Sequence, residues 1–237
     1  MVSQESKAKA LKPQTGSGKK VMKKVEIAFN VLYLSVILIT AAMLYRNADR
    51  GSLLFQYAVM AFVLGAGDSC HLIPRIYAML DRKNGDHAVS LGIGKFIASI
   101  TMTLFYLLLW EIGKGYYGFA VGRYLDALVH GCIFVRILLC LFLQNGWTTG
   151  RPVKGWNIYR NIPFVLLGIL VMLLYIIGAA TKGGGLSYVW LAILISFVCY
   201  MPVVLFSGVN PKVGMLMLPK SCAYAAIVLM GFSLCQR

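Results

Sequence analysis

The sequence predicts an all-α fold, a polytopic transmembrane bundle of about seven helices, on three observations. Of the 237 residues, 59% are hydrophobic and only 13% charged, with a mean hydropathy of +0.75, whereas a soluble domain carries about 25% charged residues to cover its surface. Seven apolar runs each reach the roughly 20 residues that a helix needs to cross hydrocarbon. The segments between them are short, and no internal repeat is visible.

Residues 1–24 contain Gly, Ser, Pro and seven lysines without apolar periodicity, and read as a disordered basic tail. The run at 27–45 is too long for a signal-peptide core and has no small-residue cleavage site, so it is taken as the first membrane helix of a transmembrane domain over 25–237. Further helices are predicted at 53–80, 89–112, 124–143, 162–181, 187–207 and 213–232, the second overrunning the bilayer edge. Pro74 and Pro219 each remove a backbone donor within a predicted helix. The carbonyls of Cys70 and Met215 are then free to accept from side chains or water, an ordinary kink being the alternative. Gly65 and Gly67 let another helix approach next to Asp68. The six cysteines form neither a CxxC nor a Cys/His metal spacing and read as packing residues. No cofactor and no metal is expected.

The lysines and arginines set an expected orientation. The tail and segments 81–88, 144–161 and 208–212 hold thirteen of them, against six on the other side. A cytoplasmic N-terminus follows. Without the tail the two sides are equal, so the tail alone carries the orientation. Anionic lipid is the expected partner of that tail, at about 1 kcal/mol per lysine near the surface. Nucleic acid is not expected, because the net charge of +15 is otherwise dispersed.

The informative residues are the ionisable ones inside the predicted helices, since each costs at least about 2.5–3.5 kcal/mol in hydrocarbon and needs partners or water. At about 1.5 Å of rise per residue, Asp68 lies roughly 22 Å down the second helix, with His71 and Arg75 on the same face at i+3 and i+7. The same arithmetic sets Arg136 about 18 Å down the fourth helix and Lys220 about 10 Å above the inner edge of the seventh. With Lys95, shallower in the third, these side chains share one layer of the cytoplasmic half. Arg75 and Lys95 have a second reading as residues that snorkel to the interface. The layer carries more positive than negative charge, so an anionic lipid head group or a small anion is the expected partner, held by Arg136 and Lys220 with Lys95 and Arg75. A structural network of ion pairs is the alternative.

Asp126 and His130, four residues apart, could share a metal or a proton. Their depth is roughly 10–20 Å from that of Asp68, so Asp68, His71, Asp126 and His130 are not expected to form one metal site. Glu111 lies near Lys114 at the outer boundary, and His87 stands in a polar loop.

The stretch from Leu64 to Tyr106 resembles the lysoplasmalogenase-like (YhhN-type) family of polytopic membrane proteins. The resemblance rests on Gly67-Asp68 in a small-residue helix, on Leu72-Ile73-Pro74-Arg75, and on Gly94, Phe96, the patch around Ser99, and Tyr106. Three departures stand beside it. Phe197, in Ile195-Ser196-Phe197, occupies the place of a second acid; Ile100 stands where a histidine often follows; and seven helices are counted where the family usually has eight. The resemblance implies a hydrolase of lysophospholipid-like alkenyl ethers, with Asp68 as general acid or base and His71 orienting it or relaying its proton. The competing readings are a transporter of a small anionic or proton-coupled solute and a non-enzymatic membrane protein.

Overall fold

Seven helices long and apolar enough to cross a membrane run through the described residues. The structure, a computed structural model, describes residues 16–81, 86–149, 153, 155–206 and 211–235. Helices α1 (Gly16–Arg46), α2 (Leu53–Leu80), α3 (Ala88–Tyr117) and α4 (Arg123–Leu141) are followed by a short α5 (Trp156–Tyr159) that continues almost directly into α6 (Ile162–Thr181). Helices α7 (Val189–Phe206) and α8 (Met217–Met230) complete the bundle, and no strand occurs among the described residues. Large apolar side chains such as Ile39, Phe62, Phe134, Ile177 and Val198 are exposed on the outer faces. Water would not tolerate so much continuous apolar surface; lipid does. The protein is therefore an integral, multi-pass membrane protein.

The limits differ from the sequence expectation in places that matter. Helix α1 takes in residues 16–24 of the expected tail, because lysine is a good helix former and polar composition alone does not end a helix. Residues 1–15 of that tail lie outside the described residues. Helix α3 runs on to Tyr117 and stops at Gly118, whose left-handed φ of 60° closes the C-terminus. Pro219 is the third residue of α8, preceded by a 3-10 turn over Pro211–Leu216. Its missing N–H is thus one of the first-turn donors that have no intrahelical partner anyway, and no mid-helix kink results. The span Trp156–Thr181 draws Asn157, Arg160 and Asn161 into the bundle, although they were read as loop.

Glycines bring α2 against its neighbours on both sides of Asp68. A Cβ on Gly67 would lie 1.9 Å from Thr101 Oγ1 of α3, and one on Gly65 2.8 Å from Leu38 of α1. A Cβ on Gly94 would lie 2.4 Å from the carbonyl oxygen of Cys70, the acceptor that Pro74 leaves free. The two backbones meet there, and backbone cannot rotate away. Gly94→Ala is accordingly expected to destabilise the protein by about 1–3 kcal/mol through overpacking. Gly131→Ala on α4, with nothing within 4 Å, should instead hold or gain up to about 1 kcal/mol. Thermal unfolding of both variants in detergent checks the contrast.

Candidate functional site

Helix α2 presents Asp68, His71 and Arg75 along one face, and all three line a cavity of about 340 Å³. The rest of its wall comes from the N-terminal parts of α3, α5–α6 and α8 and the C-terminal halves of α4 and α7. Every candidate residue of the predicted layer is in that wall: Asp68, His71, Arg75, Lys95, Arg136 and Lys220. Arg160, which was counted as a loop residue, joins them.

Each ionic group is held differently. Asp68 accepts a hydrogen bond of 2.5 Å at Oδ2 from the hydroxyl of Tyr33, a buried residue of α1. Tyr33, not His71, therefore orients the carboxylate. His71 makes no hydrogen bond to Asp68, and its buried Nδ1 has no described partner. Arg75 donates from Nε (2.9 Å) and Nη2 (2.5 Å) to Glu26 of α1, so it is pinned to a helix rather than snorkelling freely. Lys95 is exposed at the wall. Lys220 lies over two aromatic faces, 5.1 Å from the centre of Tyr200 and 4.9 Å from that of Tyr224.

Arg136 is 3% exposed, and its acceptors are all neutral: Thr103 Oγ1 at 2.8 Å, the carbonyl of Arg160 at 3.2 Å and Asn161 Oδ1 at 3.4 Å. Its guanidinium carbon stands 3.6 Å from the centre of the Phe164 ring. Arg160 donates to Asn145 Oδ1 (2.9 Å) and Asn157 Oδ1 (2.6 Å) and stacks on Trp147 at 4.4 Å. The asparagines are fixed in turn. Asn145 donates to carbonyls at the end of α4, Asn157 to Val204 of α7, and Asn161 Oδ1 also accepts from Tyr200. Among the described residues no carboxylate forms an ion pair with Lys95, Arg136, Arg160 or Lys220.

The acids outside the cavity have other duties. Asp126 accepts from Trp110 Nε1 at 2.9 Å and from Lys114 at 2.8 Å, and Lys114 also pairs with Glu111 at 2.9 Å. That cluster ties the end of α3 to the start of α4. His130 Nδ1 donates to the main-chain carbonyl of Asp126, 2.8 Å away. No group of three metal-ligating side chains occurs among the described residues. His87 meets Asp81 at 2.9 Å in the loop before α3. Phe197, at the place of the resemblance's second acid, packs against Gly168, Phe164 and Tyr106 and lies outside the cavity wall.

Part of the site outside the predicted layer carries a signal in the sequence. Glu26 and Tyr33 are seven residues apart, with Asn30 between them, a polar stripe on one face of an otherwise apolar helix. Asn157, Arg160 and Asn161 repeat the i, i+3, i+4 spacing just before an apolar run. No family model matches the chain, and neither a curated protein nor a solved structure matches it. What fold and site define is a class: a seven-span integral membrane protein with a basic, partly aromatic cavity.

Proposed function

We propose that the cavity receives the anionic head group of a lysophospholipid-like lipid and that Asp68 hydrolyses an alkenyl ether beside it. In this reading the cavity end of the bundle faces the cytoplasm, as the lysine distribution predicts. The observation that carries it is a single carboxylate, oriented by Tyr33, in the wall of a membrane-embedded cavity whose other charged groups among the described residues are cations. The resemblance of Leu64–Tyr106 supports the same chemistry. An intramembrane ionisable residue is a functional group by default, because its cost must be offset.

The reaction closes on one acid. Protonated Asp68 gives its proton to the alkenyl carbon remote from oxygen, which leaves an oxocarbenium ion. Water adds to that ion while the Asp68 carboxylate takes a proton back from it. The hemiacetal then collapses to an aldehyde and a free hydroxyl on the lysolipid backbone, with one water consumed. Asp68 is acid in the first step and base in the second, so Phe197 in place of a second acid does not remove the chemistry. The cations hold the phosphate, and lipid-facing helix surfaces leave the chain in the bilayer.

Aldehyde release from a 1-alkenyl lysophospholipid by the full chain in nanodiscs tests the proposal. No release, together with counterflow of phosphate in proteoliposomes, would assign the cavity to transport instead. Tyr33→Phe removes the one hydrogen bond to Asp68 and is expected to lower release roughly 10- to 100-fold, the equivalent of a charge-assisted bond of about 1.5–3 kcal/mol. The same variant should leave head-group affinity unchanged, since Tyr33 is not in the cavity wall.

A further inference from the structure

We infer that the head group selected by this cavity is a phosphate monoester, a dianion, and that Arg160 is one of the residues that binds it. The inference rests on reading the cavity as a lipid head-group site. Charge comes first. Arg75 is neutralised by Glu26, and Asp68 is the one carboxylate in the wall among the described residues. Lys95, Arg136, Arg160 and Lys220 then leave a surplus of four positive charges while Asp68 is protonated and of three once it is ionised. A phosphodiester such as lysophosphatidylglycerol supplies one negative charge. A phosphate monoester carries about 1.5 to 2 at pH 7, and leaves the least uncompensated charge inside the membrane, where each charge is costly.

The wall also lacks a seat for a choline or ethanolamine ammonium. Aromatic faces are what would hold one, and those of Tyr200, Tyr224 and Phe164 are already covered by Lys220 and Arg136. Asp68, the other partner an ammonium would seek, shares the wall with Lys95, Arg136, Arg160 and Lys220, whose charges repel one. A zwitterionic head group would bring its positive end into a site that has no use for it.

The geometry is that of a prepared anion site. The main-chain carbonyl of Arg160 accepts from Arg136 Nη1, which ties the end of α4 to the base of α6 where both arginines enter the cavity wall. Both side chains line the same cavity with no carboxylate paired to either among the described residues, and like charges sharing one low-dielectric cavity repel unless an anion enters it. Each is immobilised by neutral acceptors and an aromatic face and retains a nitrogen with no described acceptor, Nη2 on Arg136 and Nε on Arg160. Such oriented donors match phosphate oxygens better than flexible lysines do, and the ammonium groups of Lys95 and Lys220 supply the remaining charge.

Binding to the full chain in phosphatidylcholine nanodiscs decides the matter, with lysophosphatidic acid, lysophosphatidylglycerol and lysophosphatidylcholine as probes. Lysophosphatidic acid should bind at least tenfold more tightly than either diester, and Arg160→Gln should remove that preference while Arg160→Lys restores part of it. Equal affinities for the three lipids would overturn the inference. Should Arg160→Gln fail to fold, the comparison of head groups on the wild-type protein stands alone. Competition by glycerol 3-phosphate as strong as that by the lipid would uphold the monoester and overturn a lipid as its source. Aldehyde assays on alkenyl glycerophosphate and its choline ester separate the two readings. Selective binding without release from either overturns the hydrolase and keeps the monoester, whereas faster release from the choline ester overturns the monoester and keeps the hydrolase.

Discussion

Replacing Asp68 by asparagine is expected to cut aldehyde release by about two to four orders of magnitude, the range over which general acid–base groups act, while the protein still folds and still binds lipid. The isostere keeps an oxygen that can accept from Tyr33, so the contact between α1 and α2 survives. It cannot deliver a proton to carbon or take one from water. An amide also costs less than a carboxylate in the membrane, so thermal stability should hold or rise. The sign of the binding effect is a second check. The asparagine is neutral, as protonated Asp68 is before the first step, so an anionic head group should bind at least as tightly as to the wild-type protein. A fall in kcat with unchanged or lower KM is therefore expected. Lys220→Met should show the opposite division, raised KM with a smaller change in kcat, because in the proposed reading Lys220 binds the head group and takes no part in the proton transfers. If Asp68→Asn released aldehyde at the wild-type rate, the carboxylate would be a packing element and the proposed chemistry would fall.

The spans and the cavity were legible to different depths. Each membrane helix satisfies its own backbone and must be about 20 apolar residues long, so length and composition locate it without any knowledge of its neighbours. Asp68, Arg136 and Lys220 were legible for a related reason. A charge in hydrocarbon is conspicuous, and helix rise converts its position into a depth. What depth could not show is who holds whom. The pairs Tyr33–Asp68 and Glu26–Arg75 link residues 35 and 49 positions apart, and only the packing of α1 on α2 brings them together. Arg160 was misplaced because Asn157, Arg160 and Asn161 look like loop to a hydropathy measure. In the bundle their polar groups bond to one another, to the end of α7 and to Asn145 just after α4, which makes a polar half-turn tolerable at the base of α6. Composition counts polar groups but cannot see that they are paired.

Arg136 offers the sharpest test of how such a network is held. Two hydrogen bonds from its guanidinium at 2.8 and 3.2 Å, and a longer third at 3.4 Å, are each worth up to about 1.5–3 kcal/mol when the donor is charged. The Phe164 face adds about 2 kcal/mol in a desolvated setting. Against this stands a cost of about 2.5–3.5 kcal/mol for the charge in the membrane. The contacts win, and Arg136→Met, which loses them and recovers that cost, is expected to lower stability by about 3 kcal/mol. Arg136→Lys should be no better than the methionine variant, although it keeps the charge. An ammonium retains the full desolvation cost but reaches fewer of the three acceptors and cannot lie flat on Phe164. Thermal or denaturant unfolding of the three proteins in one detergent reads the order directly. A lysine variant as stable as wild type would mean that the bare charge, and not the planar fork spanning α3, α4 and α6, is what this position requires.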